Sequence, residues 1–240
     1  MIYFLIALGA TSIGSLVGLG GDLLIIPFLL SLGIPKALIS VNVDISMFAM
    51  SLIATIIYAK RKQGDFKTSI LFAIGIIPGA SLGVLINSKI TIPTFNLVFI
   101  SLVAILLIIM FVKDKLPKII LPSYTKPFVG IGIGMISGLF GIGGAILLVP
   151  ILMVLYGLCC KKAAATTMYL VFISTIVTVS NYAFRGYTDF SYAYYMVPGA
   201  ILGSVIGTFF NKKVSHKFID ITFKLILVFI IIKQLFVIFK

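Results

Sequence analysis

The sequence predicts an all-α integral membrane protein made of two inverted repeats, each a glycine-tipped helical hairpin plus three transmembrane helices. Of its 240 residues, 61% are hydrophobic and 10% are charged, and the mean hydropathy is +1.25. A soluble domain carries about 25% charged residues. This chain therefore has too little polar surface to cover a water-soluble globule. The apolar segments also occur twice in the same order, which indicates a duplication.

The apolar segments fall into two length classes. Six of them approach the roughly 20 residues that a helix needs to cross the hydrocarbon core; these are 37–59, 68–88, 95–112, 163–184, 192–210 and 218–239. Four shorter segments form two pairs split by glycine, 2–17 with 23–32 and 128–140 with 145–156. We predict six spans and two re-entrant hairpins. The alternative, in which every short segment also spans, gives ten crossings.

The repeat is visible in four ordered matches. The first pairs Gly18-x-Gly20-Gly21 and Pro27 with Gly141-x-Gly143-Gly144 and Pro150, at an offset of 123. The later ones pair Lys36-Ala37 with Lys162-Ala163, Arg61 and Asp65-Phe66 with Arg185 and Asp189-Phe190, and Pro78-Gly79-Ala80-x-x-Gly83 with Pro198-Gly199-Ala200-x-x-Gly203. A duplicated membrane unit explains this order. The predicted organisation is a first repeat at 1–112, a cytoplasmic linker at 113–126 and a second repeat at 127–240.

The distribution of Lys and Arg predicts the orientation. Cytoplasmic loops of membrane proteins carry an excess of Lys and Arg. Placing the clusters around 60–67, 113–126, 161–162 and 212–217 inside leaves few basic residues outside. The loop at 60–67 is then inside and its counterpart at 185–189 outside, so the repeats are inverted and both termini lie outside. We expect a multi-pass protein of the cell (inner) membrane.

The two GxGG motifs are the candidate substrate site. Glycine there allows either close helix packing or an unwound hairpin tip at membrane depth. In the second interpretation, two helix N-termini meet at the midplane, each with unpaired N–H groups and about half a positive charge. Such a site binds an anion without Lys or Arg. The predicted substrate-binding residues are the tip glycines and the nearest side-chain donors: Gly20, Gly21, Gly143, Gly144, Asn42, Thr166 and Thr167.

Two acids, Asp22 and Asp44, lie within apolar segments. An ionised carboxylate at the bilayer centre costs about 2.5–3.5 kcal/mol on insertion scales. Both are therefore candidates for proton coupling. The alternative is that Asp22 is a helix N-cap and Asp44 an interfacial cap or a water-exposed residue. Because an ionised Asp22 would repel an anion, we expect it to be neutral or turned toward its own backbone.

Glycines that recur every four residues mark one face of two further segments. These are Gly75, Gly79 and Gly83 in the first repeat and Gly199, Gly203 and Gly207 in the second. A smooth glycine face is typical of close helix contact in membranes. We expect it to pack between the copies or against a moving element. The motif Gly130-x-Gly132-x-Gly134 lacks the strand that precedes a dinucleotide-binding loop, so it predicts no nucleotide site.

The composition also bears on other function classes. One His and two adjacent cysteines, Cys159 and Cys160, offer no metal-ligand spacing and no catalytic triad. We therefore predict no catalytic residue, no metal, no cofactor and no enzyme activity. The net charge of +13 sits in clusters between apolar segments, which favours an anionic membrane surface over nucleic acid. The expected partners are a small anion and the lipid bilayer, with a homodimer left open.

The duplicated motifs resemble the sulfite exporter TauE/SafE-like family of permeases. The resemblance rests on Gly-x-Gly-Gly-(x)5-Pro and Pro-Gly-Ala-x-x-Gly, each present twice. It departs at Ser40-Val41, where the second copy has the small hydroxyl pair Thr166-Thr167. The resemblance implies the movement of sulfur-containing or organic anions, such as sulfite and sulfonates, across bacterial inner membranes. Since no ATP-hydrolysing motif is present, we expect a secondary transporter; the alternative is an anion channel.

Overall fold

The computed structural model describes residues 1–87, 92–112, 120–140, 145–186 and 189–238, and these parts contain α-helices without a β-strand. About 85% of the described residues are helical, which confirms the all-α prediction. The helices are α1 (Ile2–Val17), α2 (Asp22–Ser31), α3 (Lys36–Lys60), α4 (Phe66–Asn87), α5 (Ile92–Val112), α6 (Lys126–Phe140), α7 (Ala145–Val154), α8 (Cys160–Phe184), α9 (Ala193–Lys213) and α10 (His216–Ile238). A single 3-10 turn, Ser123–Thr125, precedes α6.

Four helices of the described part are long and apolar enough to cross a membrane. They are Leu38–Lys60, Phe66–Ile86, Cys160–Phe184 and Ala193–Lys213, and they match four of the six predicted spans. The other two predicted spans, 95–112 and 218–239, fall on α5 and α10. The apolar part of α5 for which side chains are described, Leu97–Val112, is shorter than a span. Residue 239 lies outside the described residues.

The two halves contain the same five helices in the same order. The short helices α2 and α7 each have 10 residues, and the long helices α3 and α8 each have 25. Aligning α3 with α8 gives an offset of 124, which places Lys36 opposite Cys160. The predicted match of Lys36-Ala37 with Lys162-Ala163 is therefore wrong by two residues. A Lys-Ala pair is too short to distinguish a true equivalence from a nearby coincidence.

Glycine faces join the two halves. In α4, a Cβ placed at Gly79 would lie 2.2 Å from the carbonyl oxygen of Ile131 in α6. In α9, a Cβ at Gly203 would lie 2.6 Å from the carbonyl oxygen of Leu8 in α1. No real Cβ fits at such distances, so glycine allows the backbones to touch. The predicted packing role is confirmed, and α6 contributes its own glycines to the contact, including Gly134 at 2.4 Å from the Ile76 carbonyl oxygen.

The long helices α3 and α8 cross at the centre of the molecule in opposite directions. Near the start of α3, the Asn42 amide nitrogen donates to the carbonyl oxygen of Asp189, which follows the end of α8. Near the start of α8, the Thr166 hydroxyl accepts the N–H of Asp65, which follows the end of α3. Exchanging the two halves turns one contact into the other. The same exchange turns the α1–α9 pair into the α6–α4 pair, and both pairs are closely packed.

The short helices lie inside this frame. In α7, the first six residues are all buried, from Ala145 to Pro150. In α2, Leu23, Ile25, Ile26 and Leu29 are buried. Each carries one proline, Pro27 or Pro150, within its 10 residues. These helices begin just after the glycine motifs, so the packing fixes where the motifs lie.

Candidate functional site

The first glycine motif forms a sharp turn between α1 and α2. Gly18 ends α1 with φ of 86°, and its N–H donates to the Gly14 carbonyl oxygen at 2.8 Å. The Leu19 N–H donates to the same oxygen at 2.9 Å. Gly20 follows with φ of 79°. Both glycines have left-handed φ values that L side chains rarely adopt, so the motif encodes the turn itself.

The same turn is also tightly packed. A Cβ at Gly18 would lie 2.4 Å from the Cα of Ala164 in α8. A Cβ at Gly21 would lie 2.6 Å from Cγ2 of Thr11 in α1. The packing interpretation of the first glycine motif is therefore confirmed, and the motif also forms the turn between the two helices.

The starts of the two short helices converge. A Cβ at Gly20, in the first tip, would lie 3.6 Å from the Cβ of Ala145, the first residue of α7. The first tip therefore lies near the residue that follows the second motif, and the carboxylate of Asp22 is closer still, with Oδ1 2.7 Å from the same added Cβ. The second motif itself, 141–144, lies outside the described residues, and with it the predicted site residues Gly143 and Gly144.

Asp22 lies at this junction as the first residue of α2. Its side chain is fully buried, and Oδ1 accepts the Leu23 N–H at 2.9 Å. Its Oδ2 has no hydrogen-bond partner among the described residues. Gly21, not Asp22, is the N-cap. The carboxyl group is thus turned toward its own backbone and lies at the positive end of α2. The equivalent residue at the start of α7 is the uncharged Ala145.

Asp44 is fully buried within α3. Neither of its carboxylate oxygens has a hydrogen bond to a described residue. The hydroxyl of the neighbouring Thr178 donates to the Thr175 carbonyl oxygen at 3.3 Å. Asp44 and Asp22 are close enough to interact electrostatically. The alternative that makes Asp44 a water-exposed residue is wrong, because the surrounding helices enclose it.

Asn42 and Thr166 occupy equivalent positions and hold equivalent loops. The Asn42 amide donates to the carbonyl oxygens of Leu38 and Asp189 at 2.8 and 2.9 Å, and its oxygen accepts the Ala193 N–H at 2.7 Å. The Thr166 hydroxyl donates to the Lys162 carbonyl oxygen at 2.8 Å and accepts the Asp65 N–H at 2.9 Å. Each residue therefore anchors a loop of the opposite half. Their polar atoms are already engaged in positioning the scaffold.

Thr167 differs from these two residues. It is fully buried, and its hydroxyl has no hydrogen-bond partner among the described residues. Residues three apart on a helix lie on one face. Thr167 is three residues after Ala164, which contacts Gly18. Of the three side-chain donors that the sequence predicts, Thr167 is the one whose hydroxyl is free and near the first tip.

The described residues of the site offer backbone dipoles, one free hydroxyl and two buried carboxyl groups. No cluster of three or more His, Cys, Asp or Glu that could hold a metal ion occurs within the described ranges. Helix N-termini bind anions through their N–H groups and dipole. Buried carboxyl groups in membrane helices can exchange protons. The arrangement is chemically suited to binding a small anion and moving a proton.

Comparison with known proteins agrees with the fold. Residues 3–234 match the family model described as sulfite exporter TauE/SafE. The chain is 29% identical to the probable membrane transporter protein YunE of Bacillus subtilis, over 96% of this chain and 95% of that protein. It is 31% identical to a probable membrane transporter protein of Methanocaldococcus jannaschii, over 90% and 87% of the two chains. No solved structure gives a significant match. The chain therefore belongs to the sulfite exporter TauE/SafE family of membrane transporters.

Proposed function

We propose that this protein is a secondary transporter that moves small sulfur-containing or organic anions across the cell (inner) membrane. The anion binds at the midplane between two glycine-rich hairpin tips. The observation that carries the proposal is the proximity of Gly20 to Ala145, whose Cβ would lie 3.6 Å from a Cβ added at Gly20. It brings the start of α2 and the start of α7 to one place inside the helical bundle.

The proposal includes an inverted arrangement of the two halves. The long helices α3 and α8 run in opposite directions, and exchange of the halves relates their contacts. If both helices span the membrane, the two-fold axis that relates them lies in the membrane plane. The hairpins α1–α2 and α6–α7 then enter from opposite faces as re-entrant segments. Inverted repeats with sites at discontinuous helices are a recurring design of secondary transporters.

In this arrangement, the anion is held mainly by backbone groups. The N-termini of α2 and α7 each contribute unpaired N–H groups and about half a positive charge. Thr167 adds a hydroxyl, and Gly20, Gly21, Gly143 and Gly144 allow the anion to approach the backbone. Asn42 and Thr166 keep the surrounding loops in place. Backbone dipoles bind an anion less tightly than a buried Lys or Arg does, which suits release on the other side.

Asp22 is the residue through which anion binding is coupled to proton binding. Its carboxylate lies at the positive end of α2 and accepts the Leu23 N–H, so it competes with a second anion for the same groups. Protonation of Asp22 removes this competition, so anion binding and proton binding favour each other. Asp44, which interacts electrostatically with Asp22, exchanges the proton with it. The expected process is symport of a proton with the anion.

The family supports the class of cargo. The matching model is described as a sulfite exporter, and the relatives are described as probable membrane transporters. An anion with a compact oxyanion head fits a site made of two helix N-termini. Sulfite and sulfonates have such a head, and so do small carboxylates.

The experiment compares exchange with conductance in proteoliposomes. Purified protein is reconstituted, and uptake of labelled sulfite, sulfate, methanesulfonate or acetate is measured with and without the same anion inside. A transporter that alternates between closed states shows uptake accelerated by internal anion and no measurable single-channel current. Uptake that only follows the electrical gradient, together with a current, identifies an anion channel instead. Absence of uptake and of current for all four anions would contradict the proposal.

A further inference from the structure

A polar cavity lies where three loops meet. It has a volume of about 370 Å³ and opens between the α3–α4 loop, the segment before α6 and the α7–α8 loop. Its polar lining comes from Asp65, Thr68, Ser123, Lys126, Tyr156 and Lys162. On the predicted orientation, this is the cytoplasmic end of the protein.

Lys126 is unusual in this lining because it is a buried lysine. It is 9% exposed, and its ammonium group donates to the Thr68 hydroxyl at 2.9 Å. The same group lies 5.5 Å from the centre of the Tyr156 ring. Among the described residues, no carboxylate forms an ion pair with Lys126. A buried cation without a contact anion is costly, and its remaining N–H donors can serve an external anion.

A second lysine contributes to the cavity. The Lys162 ammonium group lies 3.7 Å from a carboxylate oxygen of Asp65. Partial burial raises the pKa of Asp65, but hydrogen bonds from Thr68 and the charges of Lys162 and Lys126 outweigh it and hold this pKa below its usual value. Asp65 is therefore ionised at neutral pH and offsets one of the two lysine charges. The described lining carries a net charge of about +1.

The fold does not require this charge. The residue equivalent to Lys126 in the first half is Tyr3, whose ring packs edge-on against Tyr192 with centroids 5.2 Å apart. The residue equivalent to Lys162 is Leu38. The same helix ends therefore pack without lysine in the other half. The basic cavity is a property of one end of the molecule.

We propose that this cavity binds an oxyanion group through Lys126 and Lys162, at a site separate from the one between the tips. Either a free anion or the phosphate of an anionic lipid has the required chemistry. Its use as an entry site for the transported anion rests on the proposed function, whereas the binding itself does not.

Cys159 provides a local reporter of occupancy. It is exposed and lies in the cavity wall, whereas Cys160 beside it is buried. Replacing Cys160 with Ala in all proteins leaves one reactive thiol, because the chain has two cysteines. The rate of Cys159 alkylation by the uncharged reagent iodoacetamide is measured in a neutral detergent. Sodium sulfate is titrated against sodium chloride at matched ionic strength.

Substitutions distinguish binding by the two cavity lysines from a general effect of positive charge on sulfate protection. We expect sulfate to slow alkylation several-fold, and we expect Lys126→Met and Lys162→Gln each to remove this protection. Lys161→Met is the matched control, because its ammonium group donates to the Lys212 carbonyl oxygen at 3.2 Å outside the cavity. It should behave like the parent protein. Asp65→Asn keeps a capping side chain for α4 and should tighten sulfate binding roughly tenfold, since it removes the opposing charge.

A second arm tests the lipid source. The parent protein is placed in nanodiscs of phosphatidylcholine alone or with phosphatidylglycerol, and Cys159 alkylation is repeated without sulfate. Protection by phosphatidylglycerol that Lys126→Met abolishes assigns the site to a lipid phosphate; protection by sulfate alone assigns it to a free anion. If neither ligand protects Cys159, or if Lys161→Met loses protection as Lys126→Met does, the cavity site is refuted. Ala145→Asp changes the site between the tips and not the cavity, so sulfate should still protect Cys159 in this variant. The cavity site is therefore tested separately from the proposed transport site.

Discussion

Phe48 and Phe172 stack against each other with ring centroids 5.6 Å apart and an angle of 23° between the rings. They are separated by 124 residues, the offset that aligns α3 with α8. Each ring therefore contacts its own counterpart in the other half.

The opposite directions of α3 and α8 lead to a topology prediction. Exposed Lys67, after the α3–α4 loop, and exposed Ser191, after the end of α8, should lie on opposite sides of the membrane. Single cysteines are introduced at both positions in a protein without native cysteines. A membrane-impermeant maleimide added to intact cells should label Ser191→Cys and spare Lys67→Cys. Equal labelling of both from one side would rule out the inverted arrangement.

The glycine contact between α4 and α6 predicts opposite effects of two similar substitutions. Gly134→Ala places a Cβ 2.4 Å from the Ile76 carbonyl oxygen and should destabilise the protein by about 1–3 kcal/mol. Gly132→Ala, two residues away in the same helix, meets nothing within 4 Å. It should be neutral or slightly stabilising, because Ala favours helix. Thermal unfolding in detergent measures the difference, and equal melting temperatures would show that the glycine face is not a tight contact.

The loop anchored by Thr166 predicts a local change in hydrogen exchange. Thr166→Val removes the acceptor of the Asp65 N–H, which costs about 1 kcal/mol. Amide exchange at Asp65 should accelerate roughly fivefold. Ser180→Ala is the control, because the Ser180 hydroxyl bonds within its own helix, to the Ile176 carbonyl oxygen. Unchanged exchange at Asp65 in Thr166→Val would remove the anchoring role.

The buried acids predict a pH dependence of transport. If protonation of Asp22 frees the positive end of α2, anion uptake by the parent protein should rise as the external pH falls. Asp22→Asn keeps the size of the side chain and removes the ionisable group, so its uptake should become independent of a pH gradient. We expect the same change for Asp44→Asn. Asp220→Asn, which alters an acid paired with Lys224 at 3.0 Å in α10, is the control and should keep the dependence.

The two buried acids should also act together in the pH dependence. Because Asp22 and Asp44 interact electrostatically, the double variant should resemble each single variant and should show no further loss of pH dependence. A parent-like response to pH in both single variants would exclude coupling through these residues. The family membership and the fold would be unaffected by that outcome.

The sequence predicts the helices well because membrane helices follow hydropathy. The predicted segment 2–17 is α1, and 145–156 contains α7. The periodic glycines at Gly75, Gly79 and Gly83 predict a packing face, since a row without side chains has few other uses in lipid. The identity of the partner helix, α6, is not predictable, because it depends on the three-dimensional arrangement of the halves.

The candidate site is harder to predict because polar residues in apolar helices have several uses. From the sequence, Asn42 and Thr166 are predicted to donate hydrogen bonds to the substrate, whereas in the structure both hold loops of the opposite half. Nothing local distinguishes them from Thr167, whose hydroxyl is free among the described residues. Lys126 is counted in the sequence as one of several basic residues of the linker. Its burial depends on loops that are distant in the chain.

The most direct test of the central claim adds a fixed negative charge to the second helix N-terminus. Ala145→Asp gives α7 the acid that Asp22 gives α2, at a position where a carboxylate favours the helix. Ala145→Asn matches its size without the charge. Sulfite binding to the purified proteins is measured by isothermal titration calorimetry at neutral pH. The account predicts that Ala145→Asn binds sulfite and that Ala145→Asp binds it at least roughly tenfold more weakly; equal affinities of the two variants would contradict an anion site between the tips.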